Sequence, residues 1–322
     1  MSISELTTQI KRAAQSLGFF RVGIARAESL DPQHLDEWLE RDYHGEMAYM
    51  KDRRDLRLDP STLVENAKSI IVCAMNYYTP FETTEQPEEG RISRYAWGDD
   101  YHDVIRTRLK SLLAFIQERS PEAQGRVFVD SAPVMEKAWA VRAGIGWQGK
   151  HSNIITKDYG SWFFLGEVIV DIELDYDEPF KADHCGACTK CLEACPTQAI
   201  VEPCVVDARL CISYLTVELK PDRQYPDELK PSVSNLVFGC DICQDVCPWN
   251  KRFARSTDEP AFQPRPFNVH PKLSDLAKMD VEEFRQKFLK SPVKRAKHEG
   301  LKRNVQIAFE NINTVDEKQN HE

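Results

Sequence analysis

The stretch Cys185-Gly-Ala-Cys188-Thr-Lys-Cys191-Leu-Glu-Ala-Cys195-Pro196 decides the chemistry of this chain and organises its fold. Its cysteine spacing is that of a bacterial iron–sulfur run, in which the fourth cysteine ligates the neighbouring cluster. A second run, Cys240-Asp-Ile-Cys243-Gln-Asp-Val-Cys247-Pro248, follows and lacks its local first cysteine. Exchange of the last ligands assigns Cys185, Cys188, Cys191 and Cys247 to one 4Fe–4S cluster. Cys195, Cys240 and Cys243 then hold three corners of a second cluster. The proline after each run removes a backbone donor and ends the turn. The eighth ligand is Cys211 or Cys204. Cys211 is the expected one, because it lies in a helix-like stretch opened by Asp207 as a cap. A helix fixes a thiolate better than the loop after Pro203 does.

Zinc and disulfides are the competing uses of these thiols. Zinc sites usually pair two Cys-x2-Cys units, and neither run repeats that form. Disulfides need an oxidising compartment. The N-terminal residues are polar and helix-like, without a signal-peptide core, and no segment is long and apolar enough to span a bilayer. A cytoplasmic, monomeric protein with reduced thiols is expected. Cys73, inside the apolar run 69–75, reads as a buried strand residue.

At 322 residues the chain has room for two or three domains. A ferredoxin-like segment over 182–250 leaves 1–181 and 251–322 to be explained. In the first part, helices are expected at 5–18, 34–52, 99–119 and 133–143. Strands are expected at 21–25, 69–76 and 126–129, with a strand pair over 153–156 and 162–173 joined by a turn at 158–160. Helices and strands alternate without a βαβ rhythm, which implies a layered α+β domain. Beyond 251, helices are expected at 273–290 and 300–312.

Three further features bear on function. Gly144-Ile-Gly-Trp-Gln-Gly149 matches the dinucleotide fingerprint, but a helix precedes it and a strand follows, the reverse of what that fingerprint needs. Its glycines still permit close approach of a large flat ligand. Asp130 stands after an apolar strand and before a helix, where a carboxylate serves equally as an active-site acid or as a helix cap. His102, in Asp100-x-His102, lacks the downstream glycine of a cobalt-ligating motif and reads as a helix-surface residue or a local hydrogen-bond partner. Finally, the chain carries a net charge of −9, yet residues 285–303 hold eight Lys and Arg against the single acid Glu299. Such a stretch is either a phosphate-binding patch or a solvated helix face.

The segments 56–60, 94–102, 129–150 and 211–216, together with the cysteine runs in their order and spacing, resemble the epoxyqueuosine reductase family over about residues 5–310. The resemblance implies a cobalamin-binding, nitroreductase-like α+β domain over 1–181. A two-cluster ferredoxin-like domain (182–250) and a helical C-terminal region (251–322) would follow. It implies reduction of epoxyqueuosine to queuosine at the tRNA wobble position, with cobalamin and two 4Fe–4S clusters supplied by an external low-potential donor. Asp130 matches the family's proton donor, and Arg57, Ser93, Ile154, Leu165, Ser213 and Asp241 match its cobalamin contacts. The segment 304–312 resembles the first helix of a helical repeat whose remainder is absent. A reductive dehalogenase and a ferredoxin-like carrier with a non-catalytic binding domain are the rival readings.

Overall fold

The computed structural model describes residues 1–84 and 86–319. A four-stranded antiparallel sheet forms the centre of the N-terminal part, in the order Arg21–Arg26, Ser69–Asn76, Phe163–Val170, Gly125–Phe128. All eight residues of Ser69–Asn76 are buried, because both faces of the sheet are covered. Ile71, Cys73 and Met75 face a core closed by the helices Ile3–Ser16 and Tyr101–Arg119, through Ile10, Ile105 and Leu109. Ile70, Val72 and Ala74 face the opposite core, closed by the helix Glu136–Arg142 through Trp139 and Ala140. The two-residue period of a strand thus sorts alternate side chains into two hydrophobic layers. Each fully buried Ile or Val contributes roughly 1.5–3 kcal/mol.

The helix Glu136–Arg142 crosses the sheet closely. A Cβ on Gly23 would lie 1.9 Å from the carbonyl oxygen of Ala143, so only glycine fits there. Gly146, in the glycine-rich stretch, is needed for the same kind of reason: its Cβ would lie 2.1 Å from the oxygen of Ile155. That close approach is to the chain's own backbone. As anticipated, a helix precedes this stretch and a strand, Ile154–Ile155, follows it; the short strand Trp147–Gln148 within it was not foreseen.

Several expectations require correction. The 153–156 segment does not pair with 162–173. Ile154–Ile155 pairs with Trp147–Gln148, and Phe163–Val170 pairs instead with Ser69–Asn76, an apolar partner of equal length that satisfies its whole ladder. The helix expected over 34–52 ends at Glu40, because Asp42 and Gly45 adopt left-handed backbone conformations that a helix cannot contain. The helix expected over 273–290 is two, Leu273–Lys278 and Val281–Lys287. Asp280 and Glu283 form a capping box that starts the second.

The remaining chain wraps the sheet's C-terminal neighbour. Leu236–Phe238 pairs in parallel with Arg91–Ile92, and the long helix Lys297–Gln319 packs on it. Asn304, fully buried, donates to the carbonyls of Thr216 and Val237 and accepts from the Tyr225 hydroxyl. These bonds tie the last long helix to the segment between the two cysteine runs. Residues 320–322, included in the expected C-terminal region, lie outside the described residues. Among the described residues no helix is long and apolar enough to cross a membrane.

Candidate active site and cluster ligands

Asp130 follows the edge strand Gly125–Phe128 in a left-handed conformation, φ 39°. Such a backbone costs a non-glycine residue on the order of 1–3 kcal/mol and persists only where surrounding contacts hold it. Two neighbours on the long helix do so. The Tyr101 hydroxyl donates to Asp130 Oδ2, and His102 Nε2 lies 3.2 Å from the same oxygen. Tyr101 stacks flat on Phe164, and His102 stacks on Tyr101. His102 Nδ1 in turn lies 2.7 Å from Asp100 Oδ1, and Asp100 also caps the helix through the His102 amide. The local hydrogen bond expected for His102 is therefore present. Its second contact, to Asp130, was invisible because it spans two separate elements.

Burial pushes the Asp130 carboxyl up, but the His102 and Tyr101 hydrogen bonds and the His102 and Lys137 charges outweigh it and hold it below the usual range. Burial lowers His102, but its bonds to Asp100 and Asp130 overcome this and raise it to about 9. At neutral pH the imidazole therefore carries the proton, 3.2 Å from an ionised carboxylate. The Asp130 side chain is 52 % exposed, so the pair opens to a ligand. Tyr49, Tyr95 and Arg295 lie within electrostatic reach of it.

The cysteines divide into two groups. Cys185, Cys188, Cys191 and Cys247 line one cavity of about 170 Å³, with Lys150, His151, His184 and Trp249. His151 Nδ1 accepts from the Asn153 amide at 3.2 Å, so its proton is on Nε2. That Nε2 is buried without a partner, as are Trp147 Nε1 and His184 Nε2. Unpartnered buried N–H groups beside four thiols suit a cluster, whose sulfurs accept hydrogen bonds. Cys195, Cys211, Cys240 and Cys243 form the second group: Cys195 acts on the thiols of Cys211 and Cys240, and Cys211 and Cys240 act on that of Cys243. Cys204 stands apart, exposed, with its thiol 3.4 Å from the Gly149 carbonyl and near Cys185. Cys211 caps the helix Ile212–Val217, so the capping Asp207 starts only the short turn before it. Among the described residues no three His, Cys, Asp or Glu converge tightly enough for a single metal ion. A cubane spreads its thiolates over four different irons. Cys73 is fully buried in its strand, as expected.

The expected cobalamin contacts lie on several elements. Arg57 is buried at 7 % exposure, with Nε unpartnered, below Tyr49 and within reach of Asp130. A buried guanidinium N–H without an acceptor fits an amide or phosphate group of a bound corrinoid. Ser93 and Asp241 are hydrogen-bonded to each other, and the Arg94 amide donates to Asp241 at 2.8 Å. Ile154 and Leu165 are buried in the core beneath Glu136–Arg142. Ser213 follows Cys211 in the helix that the cysteine caps.

The basic stretch is less uniform than its composition. Arg303 is buried and caps the carbonyls of Leu215, Lys220 and Arg223. Arg295 pairs with Glu218 at 2.7 Å, and Lys287 lies over the Phe267 ring. Lys290, Lys294, Lys297 and Lys302 are exposed.

Two cysteine groups and an acid–base pair in one chain define an iron–sulfur oxidoreductase. The family model for a 4Fe-4S double cluster binding domain matches residues 184–250, which contain all eight expected ligands. The model described as Epoxyqueuosine reductase QueG, DUF1730, matches residues 57–131. The chain is 50% identical to the epoxyqueuosine reductase of Cellulophaga algicola over 92% of its own length and 95% of that relative's. The Escherichia coli epoxyqueuosine reductase is 42% identical, over 97% of this chain and 82% of the other. A crystal structure of epoxyqueuosine reductase with an epoxyqueuosine-modified tRNA-Tyr stem loop superimposes with a TM-score of 0.87. It is 32% identical and covers 96% of this chain and 82% of that one. A Bacillus subtilis epoxyqueuosine reductase, solved with a catalytic aspartate loop swung out of the active site, gives 0.86 at 31% identity over 96% and 82%. The chain belongs to the epoxyqueuosine reductase family.

Proposed function

We propose that this protein reduces epoxyqueuosine to queuosine in the wobble position of tRNA, drawing electrons from an external low-potential donor through two 4Fe–4S clusters to cobalamin. The observation that carries this reading is the contact of the half-exposed Asp130 carboxylate with His102 at 3.2 Å, in a fold that aligns with a relative bound to its modified stem loop. Cys185, Cys188, Cys191 and Cys247 would hold one cluster, and Cys195, Cys211, Cys240 and Cys243 the other. Arg57, Ser93, Ile154, Leu165, Ser213 and Asp241 would hold the corrinoid, which when bound supplies a strongly reducing cobalt centre.

Converting an epoxide to an alkene and water consumes two electrons and two protons. Negative charge develops on the ring oxygen as its carbon bond breaks. Asp130 and His102 meet that charge with a proton already in place, while Tyr101 orients the carboxylate. Tyr49, an exposed ring within electrostatic reach of the carboxylate, would offer aromatic surface to a splayed nucleoside. Lys294 and Lys297 supply exposed charge for the phosphates flanking it.

Anaerobic reconstitution tests the cofactor content. The protein is expected to take up about eight irons and one corrinoid per chain. Iron without corrinoid would favour the electron-carrier reading. Replacing both Lys294 and Lys297 with Glu is expected to weaken tRNA binding and leave corrinoid uptake unchanged. The slope of log affinity against log salt should fall by about two. Arg295 is left intact because it already pairs with Glu218.

A further inference from the structure

The strands Trp147–Gln148 and Ile154–Ile155 form a hairpin whose turn, residues 149–153, borders the first cysteine group. The Ser152 amide donates to the Gly149 carbonyl and the Gly149 amide to that of Asn153, each at 2.8 Å. Ser152 takes a left-handed backbone, φ 67°, that reverses the chain there. Lys150 clamps this turn to the cysteine run: its Nζ donates to the Gly186 carbonyl at 2.7 Å and the Cys188 carbonyl at 3.0 Å. The next residue, His151, is 5 % exposed and lines the cavity bounded by Cys185, Cys188, Cys191 and Cys247. Its tautomer is fixed from behind. The Asn153 amide donates to Nδ1, and the Asn153 side-chain oxygen is itself held by Lys137 Nζ at 3.1 Å. Nε2 therefore carries the hydrogen, and it has no partner among the described residues. The surroundings are apolar: Trp147, Ile155 and Cys247 pack as one buried cluster. A donor left unpaired in such a place costs about 1–3 kcal/mol unless a ligand accepts from it.

We propose that His151 sets the reduction potential of the cluster held by Cys185, Cys188, Cys191 and Cys247, by donating its Nε2 hydrogen to a cluster sulfur. The inference rests on the proposed function, which puts a 4Fe–4S cluster in this cavity, and adds the residue that governs how readily that cluster takes an electron. Potentials of such clusters follow the hydrogen bonds to their sulfurs and the burial around them. The step is a one-electron reduction. An electron arrives from the external low-potential donor, the cluster gains one negative charge, and no proton is transferred. The added charge spreads over the sulfurs and strengthens the hydrogen bond, and the dry surroundings enlarge the difference. The reduced state gains more from His151 than the oxidised state does, so the potential rises. Lys150 has a different part: its Nζ is engaged by two carbonyls of the cysteine run, so it holds the loop. His184 also lines the cavity with a buried, unpartnered Nε2, but no hydrogen bond to its ring fixes the tautomer among the described residues.

The test uses the full chain, reconstituted anaerobically and titrated with dithionite while the electron paramagnetic resonance of the reduced clusters is followed. His151→Leu removes the donor at similar volume. It is expected to lower the reduction equilibrium constant of one cluster about tenfold, about 59 mV toward more negative potential, and to leave the other cluster unmoved. His151→Gln places an amide N–H where Nε2 stood and should restore most of that change. Unmoved potentials in His151→Leu with both clusters present, or an equal shift in His151→Gln, would overturn the assignment. Should His151→Leu lose a cluster, wild-type protein carrying isotopically labelled histidine decides. Pulsed resonance of the reduced protein should then show a weak histidine nitrogen coupling that His151→Gln abolishes. No such coupling, or one that survives in His151→Gln, would sink the proposal. A potential shift in His151→Leu, with epoxyqueuosine left unchanged by the wild-type protein, would overturn the proposed function alone. Wild-type turnover without any shift in the variant would overturn this inference alone.

Discussion

Asp130→Asn is expected to retain iron and corrinoid and to lose between about a hundredfold and ten-thousandfold in kcat. Asparagine fills the same space, so the left-handed turn and the Tyr101 contact can persist. What disappears is the carboxylate that raises His102 and receives its proton. His102 would then fall back from about 9, although Asp100 still supports it. The pH dependence follows in sign. In the wild-type enzyme the pair stays charged with its proton below about 9, so kcat/KM should decline as pH rises through that value. The stabilisation that His102 lends is complete below the ordinary imidazole value and is lost over the same rise, on the order of 3 kcal/mol in all. Asp130, held low, contributes above the ordinary carboxylate value and loses that contribution in acid. A pH–rate profile with a melting curve at each pH checks both. A variant with near-normal turnover would remove Asp130 from the chemistry.

Cys211→Ala carries the second large effect. It is expected to lower bound iron from about eight to about four per chain and to stop turnover. Cys204→Ala should keep both clusters. The reasons are positional. Cys211 is fixed at a helix start among Cys195, Cys240 and Cys243, whereas the Cys204 thiol is exposed and directed at the Gly149 carbonyl. Iron and sulfide content with the electron paramagnetic resonance of the reduced protein distinguishes them. Retention of both clusters in Cys211→Ala, with loss in Cys204→Ala, would reverse the assignment.

The cysteine groups were legible because cubane ligation imposes fixed spacings on short segments, and the loss of one local ligand could be noticed by counting. The strand Ser69–Asn76 was legible for a similar reason, since a continuous apolar run demands cover on both faces. Element ends and pairings were less so. Asp42 and Gly45 break a helix by adopting left-handed backbones that periodicity does not encode. The capping box of Asp280 and Glu283 was present as a spaced pair, and weighing it would have split the 273–290 helix correctly. The acid–base state of Asp130 was not legible at all. It depends on His102, which comes from a different element and meets it only in the folded chain. The basic stretch misled in part, because sequence cannot separate the capping Arg303 from exposed lysines.

Removal of the epoxide oxygen of a tRNA nucleoside is the proposed reaction. Its most direct test is anaerobic incubation of the reconstituted, reduced enzyme with tRNA bearing epoxyqueuosine, followed by nucleoside digestion and mass spectrometry. Conversion to queuosine is expected, with the loss of one oxygen atom, and no conversion when corrinoid is omitted. Unchanged epoxyqueuosine with both clusters and corrinoid bound and reduced would contradict it.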